Sequence, residues 1–130
     1  MRDVRLLTDP FFPGTLIGPF TNANPGLGGV CTFVGEVRSD AGVEALELSH
    51  YEPLTLPSME ELADAALTRF DLMGLLMVHR IGKMQPGEPI VCVSAAVAGE
   101  MLQDLKAGHI LGGTPWRMQL GDIIGVVAAG

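Results

Sequence analysis

The sequence predicts an α+β domain in which helices gather on one side of a mixed or antiparallel sheet. Three observations predict this class. Apolar runs rich in β-branched residues at residues 29–37, 75–81 and 89–96 are typical of buried strands. Residues 43–51 alternate between apolar and polar types, as in a half-buried strand, whereas residues 59–70 follow a helical repeat. The order strand, strand, helix, strand, strand, short helix indicates an α+β arrangement.

The first half of the chain mixes irregular and extended segments. Residues 9–29 are rich in proline and glycine, so we expect at most one turn of helix, near residues 15–17. The strand at residues 29–37 is followed by a turn-prone cluster. In the next predicted strand, one face carries Leu46, Leu48 and His50. A histidine on the same face as two leucines is more typical of a core position than of a ligand.

A helix is predicted to begin near Ser58, which can cap the backbone, with Glu61 three residues later completing a capping box. It should end near Phe70, and its apolar stripe needs a sheet to pack on. The strands at 75–81 and 89–96 are then joined by a connection that contains the turn-forming pair Pro86-Gly87.

The C-terminal third gives weaker signals. Residues 100–107 could form a short helix, although Gly99 and Gly108 bracket it closely. The apolar run in residues 122–130 would be prone to aggregate as an exposed edge. We therefore expect this run to pair within the fold or with another subunit.

Length and composition bound the protein further. A chain of 130 residues predicts one domain, residues 1–130. Its hydrophobic fraction is 48%, but no apolar run approaches the roughly 20 residues that span a bilayer, so we expect no membrane insertion. Eight basic residues against 15 acidic ones give a net charge of −7, which argues against a nucleic-acid partner. Any anionic ligand must be bound by a few basic residues gathered locally.

Several chemical classes are not indicated by the sequence. Cys31 and Cys92 lie far apart in apolar runs, without the spacing of a zinc site, and are predicted to be free buried thiols. No metal motif, P-loop or dinucleotide fingerprint is present, so we predict no bound metal and no cofactor. The N-terminus lacks the apolar core of a signal peptide, which favours a cytoplasmic location.

Basic residues at the ends of predicted strands and in loops are the candidates for binding chemistry: Arg38, Arg80, Lys106 and Arg117. An arginine at the end of a buried strand suits phosphate, because its planar guanidinium donates paired hydrogen bonds. In so acidic a chain, each of these cations could equally be a surface ion-pair partner that contributes little to stability. The sequence pattern leaves both interpretations open.

Four segments together are more specific than any of them alone. They are TFVGEVR at residues 32–38, ALELSHY at 45–51, VHRIG at 78–82 and PGE at 86–88. In order and spacing they resemble the large, catalytic subunit of molybdopterin synthase. The resemblance covers residues 29–93 well and implies an α/β hammerhead-like fold and a homodimer. It also implies a small ubiquitin-like sulfur-carrier subunit, whose C-terminal thiocarboxylate inserts into a pocket.

The resemblance further implies a reaction and a set of site residues. In that family two sulfur atoms pass from thiocarboxylates to cyclic pyranopterin monophosphate, which builds the dithiolene that later holds molybdenum. Arg38 matches the family's substrate-binding arginine, and Arg80 and Arg117 are expected to add substrate contacts. Trp116 is either a wall of the pterin pocket or a core side chain. Lys106 is the candidate catalytic group.

The C-terminal third departs from the family pattern at functional positions. Gly99 and Glu100 stand where a His-Arg pair is expected, and Ile110 stands where a lysine precedes the tryptophan by six residues. Equating Lys106 with that lysine requires a shorter helix and a longer loop. Arg117 in place of a second lysine keeps the charge but is a poorer proton donor. An alternative is therefore a weakly active or inactive relative that serves as a binding module for the small subunit.

Overall fold

The computed structural model describes residues 1–39, 45–48 and 52–98. Six strands and two helices lie in these segments. In chain order they are β1 (Arg2–Leu7), α1 (Pro13–Ala23), β2 (Gly28–Glu36), β3 (Leu46–Leu48), α2 (Glu52–Arg69), β4 (Gly74–Arg80), β5 (Gly82–Met84) and β6 (Pro89–Ala98). None of the helices in these segments is long and apolar enough to cross a membrane.

The main sheet is mixed and has four strands in the order β1-β4-β6-β2. Strand β1 runs parallel to β4, whereas β6 is antiparallel to both β4 and β2. A second, two-stranded antiparallel sheet pairs β3 with β5. Mixed sheets with two helices define the α+β class, so the predicted class is confirmed.

The two helices pack on opposite faces of the main sheet. Helix α2 contributes Met59, Ala63 and Ala66 to a core that includes Leu75 and Met77 of β4. Helix α1 places Phe20 against Leu76 and Val78, the alternate residues of the same strand. The expectation that helices gather on one side is therefore wrong. Because successive strand residues point to opposite faces, the continuous apolar run of β4 requires a cover on both.

The expected single helical turn near residues 15–17 is also wrong, because α1 is an 11-residue helix. Pro13 lies in its first turn, where the missing N–H would have no helical partner. Pro19 lies inside the helix and removes one donor, but the next residue, Phe20, is only 3% exposed. Burial of this aromatic side chain outweighs the local preference against helix.

Helix α2 ends at Arg69, close to the predicted end, but begins at Glu52, before the predicted start at Ser58. Pro57 therefore lies inside the helix rather than before it, and the Ser58–Glu61 pair is not at the helix start. The predicted start is late because a proline inside a helix removes one backbone hydrogen bond and is therefore usually found in the first turn. A proline followed by serine is for this reason typical of a helix start.

The predicted strands at 29–37, 75–81 and 89–96 are present as β2, β4 and β6. The expected burial of the first of them is wrong, because β2 is the last strand of the described sheet order and carries only exposed and half-buried residues. The sequence patterns do not predict β1 and β5, because β1 mixes charged and apolar residues without strict alternation and β5 has only three residues. Of the predicted strand at 43–51, residues 46–48 form β3, and the rest lies largely outside the described residues. The predicted helix at 100–107 and the apolar tail also lie outside them.

The two cysteines differ in their surroundings. Both are free thiols, and Cys92 is buried in the core beneath α1. Cys31 is exposed on β2, so the prediction of two buried thiols is half correct. The reason is that β2 is the last strand of the described sheet order, whereas β6, which carries Cys92, lies inside it.

Two methionines provide a matched test of the core. Met77 is 1% exposed in the centre of β4, whereas Met73, four residues earlier, is 47% exposed. We expect Met77→Ala to lower the free energy of unfolding by about 2–5 kcal/mol, because it leaves a cavity in packed surroundings. Met73→Ala should change it by less than about 0.5 kcal/mol. Urea unfolding of the two variants measures this, and equal effects would contradict the burial of Met77.

Candidate functional site

The ends of β2 and β4 lie at the same edge of the main sheet, on either side of the start of β6. Just beyond β2, the Val37 N–H donates to the Glu88 carbonyl at 3.0 Å, and the Gly87 N–H donates to the Val37 carbonyl at 2.9 Å. Strand β4 ends at Arg80, whose side chain reaches the same turn. We call the group formed by Val37, Arg38, Arg80 and residues 85–88 the arginine corner. It gathers two of the predicted site arginines on neighbouring parts of the backbone.

Arg80 is a buried cation, only 5% exposed. Its Nη1 lies 3.2 Å from Oε2 of Glu88, and its Nη2 donates to the Lys83 carbonyl at 3.2 Å. The ion pair lacks hydrogen-bond alignment, so buried Nη1, like buried Nε, has no hydrogen-bond partner in the described structure. Burying a charge is costly unless it is paired, so this guanidinium depends strongly on the Glu88 carboxylate.

Glu88 connects Arg80 to the turn that precedes β6. Its Oε2 accepts a hydrogen bond from the Gln85 N–H at 2.7 Å, and its own N–H donates to the Gln85 carbonyl at 3.1 Å. Gly87 has a φ of 88°, a left-handed conformation that favours glycine. One carboxylate oxygen thus holds both the closed turn and the buried cation.

Arg38 follows Val37 directly and is exposed. Its position depends on a one-residue register shift between β2 and β6, at Gly35 and Glu36. Gly35 also approaches β6 closely, because a Cβ atom there would lie 2.8 Å from Cγ1 of Val91. The shift leaves Ile90 of β6 unmatched in the register with β2, and beyond it Val37 pairs with Gly87 and Glu88 of the turn at residues 85–88.

His79 precedes Arg80 but lies on the opposite face of the sheet, beside Leu6 and Val91 in the pairing register. It is half-buried, and its Nδ1 is buried without a hydrogen-bond partner in the described structure. Burial lowers the pKa of His79 below its usual value, and a hydrogen bond involving the Arg80 backbone partly opposes this. Burial therefore favours the neutral imidazole, and the side chain lies on the other face of the sheet from Arg80.

The structure thus brings together part of the predicted site. Arg38 and Arg80 belong to one corner, whereas Lys106, Trp116 and Arg117 lie outside the described residues. Sequence reasoning missed the role of Glu88 as the partner of Arg80, although its motif Pro86-Gly87-Glu88 was part of the resemblance. In the described segments, no group of three or more His, Cys, Asp or Glu residues could hold a metal ion.

The fold and the arginine corner together define the class of this protein. It is an α+β protein in which an exposed arginine, Arg38, follows the end of strand β2. A family model described as MoaE protein matches residues 8–106. Among curated proteins, the molybdopterin synthase catalytic subunit of Caulobacter vibrioides is 42% identical over 96 residues, which is 73% of this chain. The chain belongs to the MoaE protein family.

Solved structures agree with this assignment. The molybdopterin biosynthesis MoaE protein from Burkholderia ambifaria is similar with a TM-score of 0.67 and 31% identity, over 82% of this chain and 72% of that one. A complex of subunits 1 and 2 of molybdopterin-converting factor from Helicobacter pylori has a TM-score of 0.63 and 22% identity. It covers 82% of this chain and 74% of that one, and at this identity it supports the fold alone.

The chain differs in extent from its relatives. The matched region is 64% of the Caulobacter protein, so this chain spans less than two thirds of that relative. A second family model, described as OPT oligopeptide transporter protein, matches residues 88–130, about a third of the chain. Its first residues form β6, an inner strand of the main sheet. The MoaE match covers most of the chain and defines the family.

The close approach of Gly35 to Val91 gives a size-compensation test. We expect Gly35→Ala to lower the free energy of unfolding by about 1–3 kcal/mol, because the added methyl group overlaps Cγ1 of Val91. In a Val91→Ala background the same change should cost clearly less. Urea unfolding of the wild type, both single variants and the double variant measures the coupling. Strictly additive effects would show that the two positions are not in contact.

Burial of His79 gives a pH dependence of stability. Because its folded pKa lies below the unfolded value of 6.5, the unfolded chain takes up the proton first as pH falls. The contribution of neutral His79 to the free energy of unfolding is complete above the unfolded pKa of 6.5, and it is lost as pH falls from there through the folded pKa. Between about pH 7.5 and 5.5 we expect the wild type to lose stability relative to His79→Gln. Parallel unfolding free energies over this range would contradict the prediction.

Proposed function

We propose that this chain acts as the catalytic subunit of a molybdopterin synthase. In this reaction, two thiocarboxylates of the small subunit each transfer one sulfur atom to cyclic pyranopterin monophosphate. Water cleaves each acyl–sulfur bond and leaves a carboxylate on the small subunit, and the two carbons that gain sulfur lose their bonds to oxygen as the dithiolene forms. The observation that carries the proposal is the MoaE match over residues 8–106, which includes an exposed arginine at the end of β2. The relative from Caulobacter vibrioides, which bears the name of the catalytic subunit, supports the enzyme rather than the inactive binding module.

The proposal includes partners and a location. A small ubiquitin-like subunit supplies the sulfur, and the Helicobacter pylori neighbour, a complex of two subunits of molybdopterin-converting factor, supports such a pairing. A homodimer, one domain comprising residues 1–130, and a cytoplasmic location are further parts of the proposal. They rest on the sequence resemblance.

Each site residue has a proposed role based on its chemistry. Arg38 binds the substrate phosphate, because an exposed guanidinium can donate two parallel hydrogen bonds to phosphate oxygens. Lys106 transfers a proton or stabilises the negative charge that develops as the carbon–sulfur bond of the thiocarboxylate breaks. Arg117 adds positive charge toward the substrate, and Trp116 stacks on the pterin ring.

The chain's net charge of −7 makes these few cations important. A diffuse negative field disfavours a phosphorylated ligand, so affinity must come from short-range, directional contacts. Glu100, in place of a family cation, adds to the repulsion, whereas Arg117 keeps its charge at every physiological pH. We therefore expect Arg38 to account for much of the substrate affinity.

A reconstituted assay tests the proposal. The purified chain is incubated with thiocarboxylated small subunit and cyclic pyranopterin monophosphate, and the dithiolene product is measured. We expect Arg38→Met to lower kcat/KM by about 10- to 100-fold, the value of one or two charged hydrogen bonds. Lys106→Ala should lower kcat. Arg5→Met removes a cation whose partner is Asp3 on the same strand, and should leave activity unchanged.

Two outcomes would contradict the proposal. Product that forms equally well with Arg38→Met and Lys106→Ala would remove both residues from the site. A stable complex with the small subunit, together with no product from the wild-type chain, would favour the binding module instead.

A further inference from the structure

The structure assigns to Arg80 a role that differs from substrate contact. We propose that Arg80 is a positioning residue, whose buried guanidinium holds the turn at residues 85–88 and thereby fixes the backbone that presents Arg38. The part of this proposal that concerns substrate rests on the proposed function. The part that concerns the backbone rests on the arginine corner alone.

Burial argues against direct contact between Arg80 and substrate. The residue is 5% exposed, and its Nε and Nη1 atoms are both buried. Its Nη2 already donates to the Lys83 carbonyl at 3.2 Å. A phosphate could reach these donors only if the surrounding chain opened, and the Glu88 carboxylate beside Nη1 would repel it.

The contacts instead form a chain of restraints from Arg80 to Arg38. The guanidinium lies 3.2 Å from Oε2 of Glu88, and the same oxygen accepts from the Gln85 N–H at 2.7 Å. The turn closed in this way offers the Gly87 N–H and the Glu88 carbonyl to Val37, at 2.9 and 3.0 Å. These two bonds end one residue before Arg38. If the turn shifts, the backbone at Arg38, from which its side chain extends, shifts with it.

The positions of the strands explain why such a restraint is needed. Strand β2 ends at Glu36 after its register shift against β6, so the ladder no longer holds the chain beyond that point. Val37 is nevertheless buried, at 5% exposure, through its pairing with the turn. A binding residue misplaced by about 1 Å can lose a large part of its effect. Arg80 supplies the rigidity that the irregular strand end lacks.

Amide hydrogen exchange tests the restraint without reference to activity. On the full chain, we expect Arg80→Met to raise exchange at the Val37 and Gly87 amides on the order of tenfold, because the turn loses its buried partner. Amides in the middle of β4 and β6 should be unaffected. Glu88→Gln keeps an oxygen that can accept from the Gln85 N–H but loses the charge, so its increase should be smaller. Arg5→Met is the matched control and should change neither amide.

The Glu88→Gln variant keeps the test decisive if Arg80→Met does not fold, because the Glu88 side chain is 34% exposed and tolerates substitution better. Unchanged exchange at Val37 and Gly87 in a folded Arg80→Met or Glu88→Gln variant would overturn the proposal. This result does not depend on whether the chain has synthase activity.

Kinetics then separate positioning from direct binding. If Arg80 acts through Arg38, Arg80→Met should raise KM for the phosphorylated pterin with a smaller effect on kcat. Adding it to Arg38→Met should then cause little further loss. Direct substrate binding by Arg80 predicts that the two losses multiply, which would overturn the positioning role. A wild-type chain without activity would refute the proposed function and leave the exchange result as the test of the restraint.

Discussion

The buried charge of Arg80 is the constraint around which one end of the molecule is organised. Strand β4 is buried along nearly its whole length, and its last residue is a cation with little access to solvent. Burying a guanidinium costs free energy unless carboxylate and carbonyl oxygens replace the water that it loses. Glu88 and the Lys83 carbonyl supply these oxygens, so strand β5, the turn at residues 85–88 and the end of β4 are drawn together. The chain after β2 is then bound to that turn.

This arrangement explains how an acidic chain can present a cation for an anionic ligand. Arg80 is compensated by a carboxylate and is buried, so it adds little to the external field. Arg38 follows Val37, which is hydrogen-bonded to the turn at residues 85–88, and it stays exposed. The sequence pattern does not distinguish the two arginines, but their physical roles differ. Arg80 ends β4 inside the fold, whereas Arg38 follows β2 at the surface.

Family membership concerns the scaffold of the chain, whereas the residues that depart from the family pattern concern its chemistry. The match over residues 8–106 reaches through all of the described sheet except β1. The substitutions at Gly99, Glu100 and Ile110 fall after β6, at positions that the family resemblance associates with chemistry. The described structure thus accounts for the scaffold and for the setting of Arg38. The proposed catalytic lysine must be tested by substitution.

Local signals in the sequence were enough to predict the strands β2, β4 and β6, a helix that ends close to Arg69, the turn at Pro86-Gly87, and Arg38 and Arg80 as candidate residues. Periodicity and turn chemistry operate over a few residues and can be recognised without a partner. The remaining features depend on contacts between distant segments. Helix α1 forms in a proline-rich segment because Phe20 finds a buried place against β4, and the helices occupy both faces because β4 is apolar on both. Arg80 is a buried structural cation that pairs with Glu88. Its burial results from the pairing of distant strands, and no local sequence pattern predicts how deeply a side chain will be covered by such pairing.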